Sequence, residues 1–472
     1  MATQRLATRQ IPESAPALSR RLWVEAAAVA AVMVLGAGLR LFRLGQWSFW
    51  PDEIFSFGTR SDGFNNNILL RSLATDLIGL AVRTLGPSEW NARLVPALIG
   101  ILAIPLLYLV LRRCLPFPGA LFTILLLAVS PWHLYWSQNA RFYTLLFLFF
   151  NLGLLFFYLG VEEDRPWYMV AALVLFGLAA RERLAALLGM PALVVYLLAL
   201  VVLRFERPRG LNWRNLAVFF GPALLAGVVV GAPYIRNLDA WMRGFGRLNN
   251  SPFFLAAGTV YYVGLPLAVF AAGSGLYRAV RRDRLALLMG LSAVLPLLLI
   301  MGISLVQYSA NRYVFFSLFS WLVLAGLGFQ ALWQQLAKDS RVWALVVAGA
   351  LLAAYAGDLF SYYTLQNGNR DDWRAAFAYV AAHGQPGDRV VTTSYDAFAY
   401  YLGEPYVYRP WNEEESAQDS GTHTWYIEDM TVAELYPQQL AAMEEHAEPQ
   451  ADFDVRLPGR TFRMRVYVAE NP

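Results

Sequence analysis

The stretch Gly45-Gln46-Trp47-Ser48-Phe49-Trp50-Pro51-Asp52-Glu53-Ile54-Phe55-Ser56 sets two adjacent carboxylates among tryptophan and phenylalanine rings. A carboxylate partly stripped of water gains basicity, which suits Asp52 or Glu53 to take a proton from a hydroxyl group. The same residues also read as an interfacial aromatic belt carrying solvated loop charges. Cationic partners for an anionic substrate stand elsewhere in the chain, at the ends of apolar runs: Arg40 with Arg43, Arg141, Arg181 with Arg183, Arg236 with Arg243 and Arg247, and Arg312. A guanidinium there can hold a phosphate by two parallel hydrogen bonds, or it can simply extend its charge to the membrane surface.

The elements that must position these groups are membrane spans. The chain has 472 residues, of which 57% are hydrophobic and only 15% charged, a balance outside the range of soluble domains. Apolar runs fall at 22–39, 93–111, 117–134, 140–160, 166–180, 184–203, 215–234, 253–277, 285–306, 312–336 and 341–360. They do not alternate as barrel strands do, so the expected fold is an all-α polytopic membrane domain of about eleven helices. Ser19-Arg20-Arg21-Leu22 resembles a twin-arginine signal, yet the run after it is long and lacks a small-residue cleavage site, so it reads as a retained first span. Arg112 and Arg113, Arg165, Arg204 to Arg214, Arg278 to Arg284, and Lys338 with Arg341 fall on one side. That side is cytoplasmic by the positive-inside rule, with the tail 1–21, and the protein is expected in the plasma (inner) membrane. The segment 44–92 is then an outer loop, with short interfacial helices around Ile68 to Leu85.

The net charge of +4 comes from arginines scattered between apolar runs, which excludes a nucleic-acid face. Cys114 is the single cysteine and the four histidines lie far apart, so no metal-ligand spacing is visible and no cofactor is expected, a divalent cation not being indicated. From about Asn369 charged residues, Gly and Pro rise, and 369–472 reads as a small extracytoplasmic α/β domain. Its helix is expected over Asp371–Ala382, a strand over Asp388–Thr393 and a hairpin over Phe453–Ala469 around Pro458-Gly459; Glu413-Glu414-Glu415 reads as a solvated loop.

The acidic pair, the segment Leu85-Gly86-Pro87-Ser88-Glu89-Trp90-Asn91-Ala92-Arg93-Leu94 and the segment from Ser130-Pro131-Trp132-His133 to Ser137-Gln138-Asn139-Ala140-Arg141-Phe142-Tyr143 together resemble the protein O-mannosyltransferase-like membrane glycosyltransferases. These belong to the type C superfamily, with the aminoarabinose transferases that modify lipid A. Asn311-Arg312-Tyr313, Asp372-Trp373-Arg374 and Pro386-Gly387-Asp388 extend the similarity over most of the chain. The resemblance implies transfer of a sugar from a polyprenyl-phosphate donor to an extracytoplasmic protein, lipid or glycan acceptor, with inversion at the anomeric carbon. Asp52 matches the catalytic base, and Glu53 would orient acceptor or loop. Arg141 matches an arginine near the donor phosphate or the loop carboxylates. Gln138 and Tyr143 could hydrogen-bond sugar or phosphate, or Gln138 could only cap the next span and Arg141 pair with Asp52 in a static salt bridge; Arg181, Arg183, Arg236, Arg312 and Tyr313 are further candidates for substrate binding. Arg181-Glu182-Arg183 reads either as a phosphate clamp or as a self-neutralising turn. Departures from the pattern are Asn139, where relatives often have an acid, and Leu69-Leu70-Arg71-Ser72 with Thr75-Asp76, where many have a His-Pro-Pro-like segment. Two rival readings remain: a transporter of polyprenyl-linked glycans, and a polysaccharide ligase or polymerase.

Overall fold

The computed structural model describes residues 15–57, 72–236, 251–335, 341–411, 423–457 and 460–470. Nineteen α-helices follow one another among the described residues. They are α1 (Ala15–Leu41), α2 (Pro51–Ile54), α3 (Leu73–Leu85), α4 (Glu89–Leu111), α5 (Phe117–Val129), α6 (Pro131–Ser137), α7 (Tyr143–Glu163), α8 (Pro166–Glu182), α9 (Met190–Val202), α10 (Trp213–Arg236), α11 (Pro252–Val263), α12 (Leu265–Val280), α13 (Arg284–Ile303), α14 (Leu318–Gln335), α15 (Arg341–Thr364), α16 (Trp373–His383), α17 (Tyr395–Tyr401), α18 (Met430–Leu435) and α19 (Pro437–Glu444).

Among the described residues seven helices are long and apolar enough to cross a membrane, or up to nine spans if each of two bent pairs counts as one. The chain is therefore a multi-span membrane protein. Two of the eleven expected spans fall on helices that miss this criterion: α8 has 17 residues, and α10 is apolar only over Trp213–Val229 among its described residues. An apolar run shorter than about 18 residues can belong to a helix that stops within the hydrocarbon, which composition alone does not separate from a span. The count of eleven is thus not established.

Both bends have local causes. Pro131 holds Ser130 extended, and α5 and α6 meet at 56°. Gly264, at φ +89, lets α11 turn into α12 at 94°, a backbone conformation that a Cβ would strain. At the first bend Arg40 is fully buried and donates to the carbonyls of Leu127 and Ala128 and to His133 Nδ1 at 2.7 Å. Helix termini leave such carbonyls unsatisfied, so this cation closes the break. The bundle is built around α14 and α7, whose apolar windows are 94% and 78% buried, against 11% for α1 at the periphery.

The chain ends in a five-stranded sheet of order β2-β1-β3-β7-β4, from β1 (Arg389–Val391), β2 (Val407–Arg409), β3 (His423–Asp429), β4 (Glu448–Asp452) and β7 (Met464–Glu470). Strand β1 runs parallel to β2 and β3, while β7 runs antiparallel to β3 and β4. The expected helix and first strand appear as α16 and β1. The expected hairpin appears as well: β5 (Val455–Leu457) pairs antiparallel with β6 (Arg460–Phe462), and β4 pairs with β7 in the same register, Asp452 opposite Arg465 as Val455 is opposite Phe462, while the other edge of β7 joins β3. Met464 and Val466 of β7 are buried in a core with Trp373 and Phe377 of α16, which fixes which face of the hairpin turns inward. The same core takes in Phe49 and Ile54 of the acidic stretch, Ile78 and Val82 of α3, and Ala140. The C-terminal sheet and the acidic loop therefore occupy one face of the bundle. Asn65 to Asn67, Arg71, Arg243, Arg247, Lys338, Glu413 to Glu415 and Pro458-Gly459 lie outside the described residues.

Candidate active site

Helix α2 is a single turn. Trp50 is extended, Pro51 pre-sets the first helical φ, and Glu53 reaches back so that its Oε2 accepts the Trp50 N–H at 3.3 Å. Successive residues on a helix point about 100° apart, so Asp52 and Glu53 face different surroundings.

Glu53 faces inward and is fully buried. Arg93 grips it as a fork, Nε to Oε1 and Nη2 to Oε2, both at 2.8 Å, and the Ala140 amide donates to Oε1 at 2.8 Å. Arg370 Nε lies 3.5 Å from Oε2. Burial alone would raise the Glu53 pKa, but the charges of Arg93 and Arg370 outweigh it and hold the carboxyl below its usual range. The remaining N–H groups of Arg93 go to the carbonyls of Leu44, Trp47 and Ser48 at 3.2, 2.9 and 2.9 Å. Glu53 is thus held as the carboxylate, with both oxygens engaged by N–H donors. It has no capacity to accept a substrate proton, and it holds the loop.

Asp52 faces outward with its side chain 33% exposed. Arg141 Nη2 stands 3.7 Å from Oδ2, and Arg141 Nη1 donates to the Asp52 carbonyl at 2.6 Å and to Ser56 Oγ at 3.3 Å. The Arg141 guanidinium lies over the Phe142 ring at 5.0 Å, and that of Arg183 over Phe142 and Tyr313 at 5.7 and 5.3 Å. Arg312 lies over Trp50 and Tyr313, each at 5.7 Å, and within electrostatic reach of Asp52. All three guanidiniums act on the Tyr143 hydroxyl, the first residue of α7. Three cations around one carboxylate leave two net positive charges, and aromatic faces fix the planes of the guanidiniums while leaving N–H edges for a ligand. Such a cluster complements a phosphate beside a half-open carboxylate.

The structure brings Asp52, Arg141, Tyr143, Arg183, Arg312 and Tyr313 together. It does not bring Gln138 there. Gln138 is fully buried, its Nε2 donating to the carbonyls of Leu39, Arg40 and Phe42 at the end of α1 and its Oε1 accepting from Tyr362. It caps a span, because the unsatisfied carbonyls of α1 claim its amide. Of the two roles expected for Glu53, orienting acceptor or loop, its contacts are those of a group that holds the loop.

Glu182 is also claimed: Ser72 Oγ and the amides of Leu73 and Ala74 donate to it at the start of α3. It is therefore committed to capping rather than to neutralising Arg183, whose guanidinium faces Phe142 and Tyr313. Arg181 lies beside Glu182 and feels its charge. The side chain of Arg236 is outside the described residues.

Reasoning from residues missed Arg93 and Arg370. An arginine inside the apolar run of α4 is costly unless paired, and that was a signal for Arg93. Arg370, after the last span, carried none. Among the described residues no three His, Cys, Asp or Glu side chains group as metal ligands.

Residues 74–233 match the sequence model of the family described as dolichyl-phosphate-mannose-protein mannosyltransferase. No curated protein is similar in sequence to this chain. The solved structure of ArnT from Cupriavidus metallidurans in the apo state is similar over 95% of this chain and 98% of that one, at 16% identity and a TM-score of 0.57. The same protein bound to undecaprenyl phosphate is similar over 94% and 98%, at 18% identity and a TM-score of 0.55. The Archaeoglobus fulgidus oligosaccharyltransferase in the apo form is similar over 86% and 70%, at 12% identity and a TM-score of 0.56. The family match and these structures agree with the resemblance read from the sequence: the fold is that of the type C glycosyltransferases.

Proposed function

We propose that this protein is a membrane glycosyltransferase that moves a sugar from a polyprenyl-phosphate donor to an extracytoplasmic acceptor, a protein, lipid or glycan, with inversion. One observation carries the reading: on a type C fold, a half-open carboxylate, Asp52, stands against the guanidiniums of Arg141, Arg183 and Arg312. The undecaprenyl phosphate bound to ArnT in a structure of similar fold supports a polyprenyl-phosphate lipid as the donor class.

In this reading Asp52 accepts the acceptor's proton as the acceptor oxygen or nitrogen attacks the anomeric carbon. The bond from that carbon to the phosphate oxygen breaks, and polyprenyl phosphate leaves with the electron pair. Negative charge grows on the leaving phosphate, so Arg141, Arg183 and Arg312 stabilise the transition state more than the ground state. Tyr143 and Tyr313 border the phosphate site, and Glu53 positions the loop. Arginine supplies the charge, so the reading calls for no cofactor. Residues 22–362 form the membrane domain and 369–472 the extracytoplasmic domain, with the N-terminus cytoplasmic in the inner membrane.

The test is transfer in vitro from a panel of polyprenyl-phosphate sugars. Asp52→Asn is expected to lower turnover about 10²- to 10⁴-fold while the donor still binds; an equally active variant removes Asp52 as base. Donor movement across the bilayer with no transfer to any acceptor would instead identify a transporter.

A further inference from the structure

At the opposite end of the bundle from Asp52 a cleft of about 630 Å³ opens between Arg21, Arg112, Arg113, Phe117, Pro118 and Trp333. Helix α4 begins beside the acidic loop and ends at this cleft; its 23 residues rise roughly 34 Å, about one bilayer core. By the positive-inside rule this face is cytoplasmic. We propose that this cleft binds the phosphodiester headgroup of an anionic phospholipid in the cytoplasmic leaflet.

The cleft is cationic and held in place. Arg112 donates Nε and Nη2 to Glu25 at 3.2 and 3.1 Å, and Arg113 donates Nη2 to Glu163 at 3.0 Å and Nη1 to the Tyr168 hydroxyl. Arg21, at the rim, has its side chain 56% exposed and lies 3.7 Å from Glu25. Arg165, 3.7 Å from Glu163, and Arg341, 5.4 Å over the Trp333 ring, add to the positive charge around the cleft. The carboxylates orient the guanidiniums without consuming all five N–H donors of each. The N-terminal turn of α5, entered through Pro116, forms part of the wall and adds the positive end of its dipole.

The wall beside the guanidiniums is apolar, from Leu115, Phe117, Pro118 and Trp333. A free phosphate would leave that wall unused, whereas a glycerophospholipid fills it with its glycerol and upper acyl carbons. Basic pockets between spans on the cytoplasmic side are suited to anionic headgroups.

The test uses the full chain in nanodiscs and counts retained lipid by native mass spectrometry, with phosphatidylglycerol against phosphatidylcholine. Native protein is expected to retain phosphatidylglycerol preferentially, and Arg21→Gln to lower that retention roughly fivefold, the factor for one basic residue at an anionic surface, with phosphatidylcholine unchanged. Gln334→Glu, at the exposed mouth, is expected to act in the same direction without touching any ion pair of the cleft. If both variants keep the native preference, the proposal is overturned. It is overturned equally if inorganic phosphate displaces phosphatidylglycerol from the native protein, since the occupant is then a free anion.

Discussion

Behind the acidic loop, Arg93 and Arg370 are buried and direct their N–H groups at one carboxylate and at backbone carbonyls. In front of it, Arg141, Arg183 and Arg312 lie over aromatic rings at the edge of solvent, with Asp52 as the nearby acid. The residue types are the same on both sides. What differs is where the donors point: the rear cations are buried and turned to the loop and hold its shape, while the front cations keep N–H groups at the edge of solvent for a ligand. An acid or an arginine becomes chemically useful here only where the fold leaves part of it unanswered.

The sharpest way to break this contrast is Glu53→Gln. Removing one partner of a buried ion pair strands the other, so unfolding stability is expected to fall by about 3–5 kcal/mol, with transfer activity lost as well; a stability within about 0.5 kcal/mol of native would place Glu53 with the front set. The same pairing gives the rear an acid limit. The folded-state pKa of Glu53 lies below its ordinary value of 4.5. Its contribution is therefore complete above that value and is lost as pH falls through the lower, folded one. An unfolding titration below pH 4.5 should show this loss in native protein and not in Glu53→Gln.

Arg312→Ala tests the front. Transfer is expected to drop about 10²- to 10³-fold, the range for losing one group that stabilises developing charge, with the unfolding midpoint unmoved; a matching stability loss would make Arg312 structural. The smallest effect belongs to Glu89→Gln. Glu89 pairs with Arg374, whose side chain is 41% exposed, and accepts from Tyr401 at 2.9 Å. Solvent screens such a pair, so a loss of at most about 1 kcal/mol is expected; a loss as large as that of Glu53→Gln would erase the distinction between buried and screened pairs.

The meeting of Asp52 with Arg141 was legible from the chain because both stand at the ends of apolar runs on one face. The helical segments were legible for the same reason, their apolar lengths. Which of two adjacent acids turns inward was not, since it depends on Arg93 and Arg370 arriving from α4 and from beyond the last span. Gln138 misled because an amide between aromatic residues looks equally suited to a sugar and to the carbonyls of a helix end. The hairpin over Phe453–Ala469 was legible in its alternation, but not that β7 also pairs with β3, since local alternation says nothing of a strand distant in sequence.

Arg370, Arg374 and Tyr401 come more than three hundred residues after the loop they secure: Phe49 N donates to Tyr401 Oη across 352 positions. During synthesis the first span and its acidic turn therefore emerge long before their fasteners. A chain halted at residue 360 would lack Arg370 and leave Glu53 without one of its two cations, so the acidic turn is fastened only once residues 370–401 have been made.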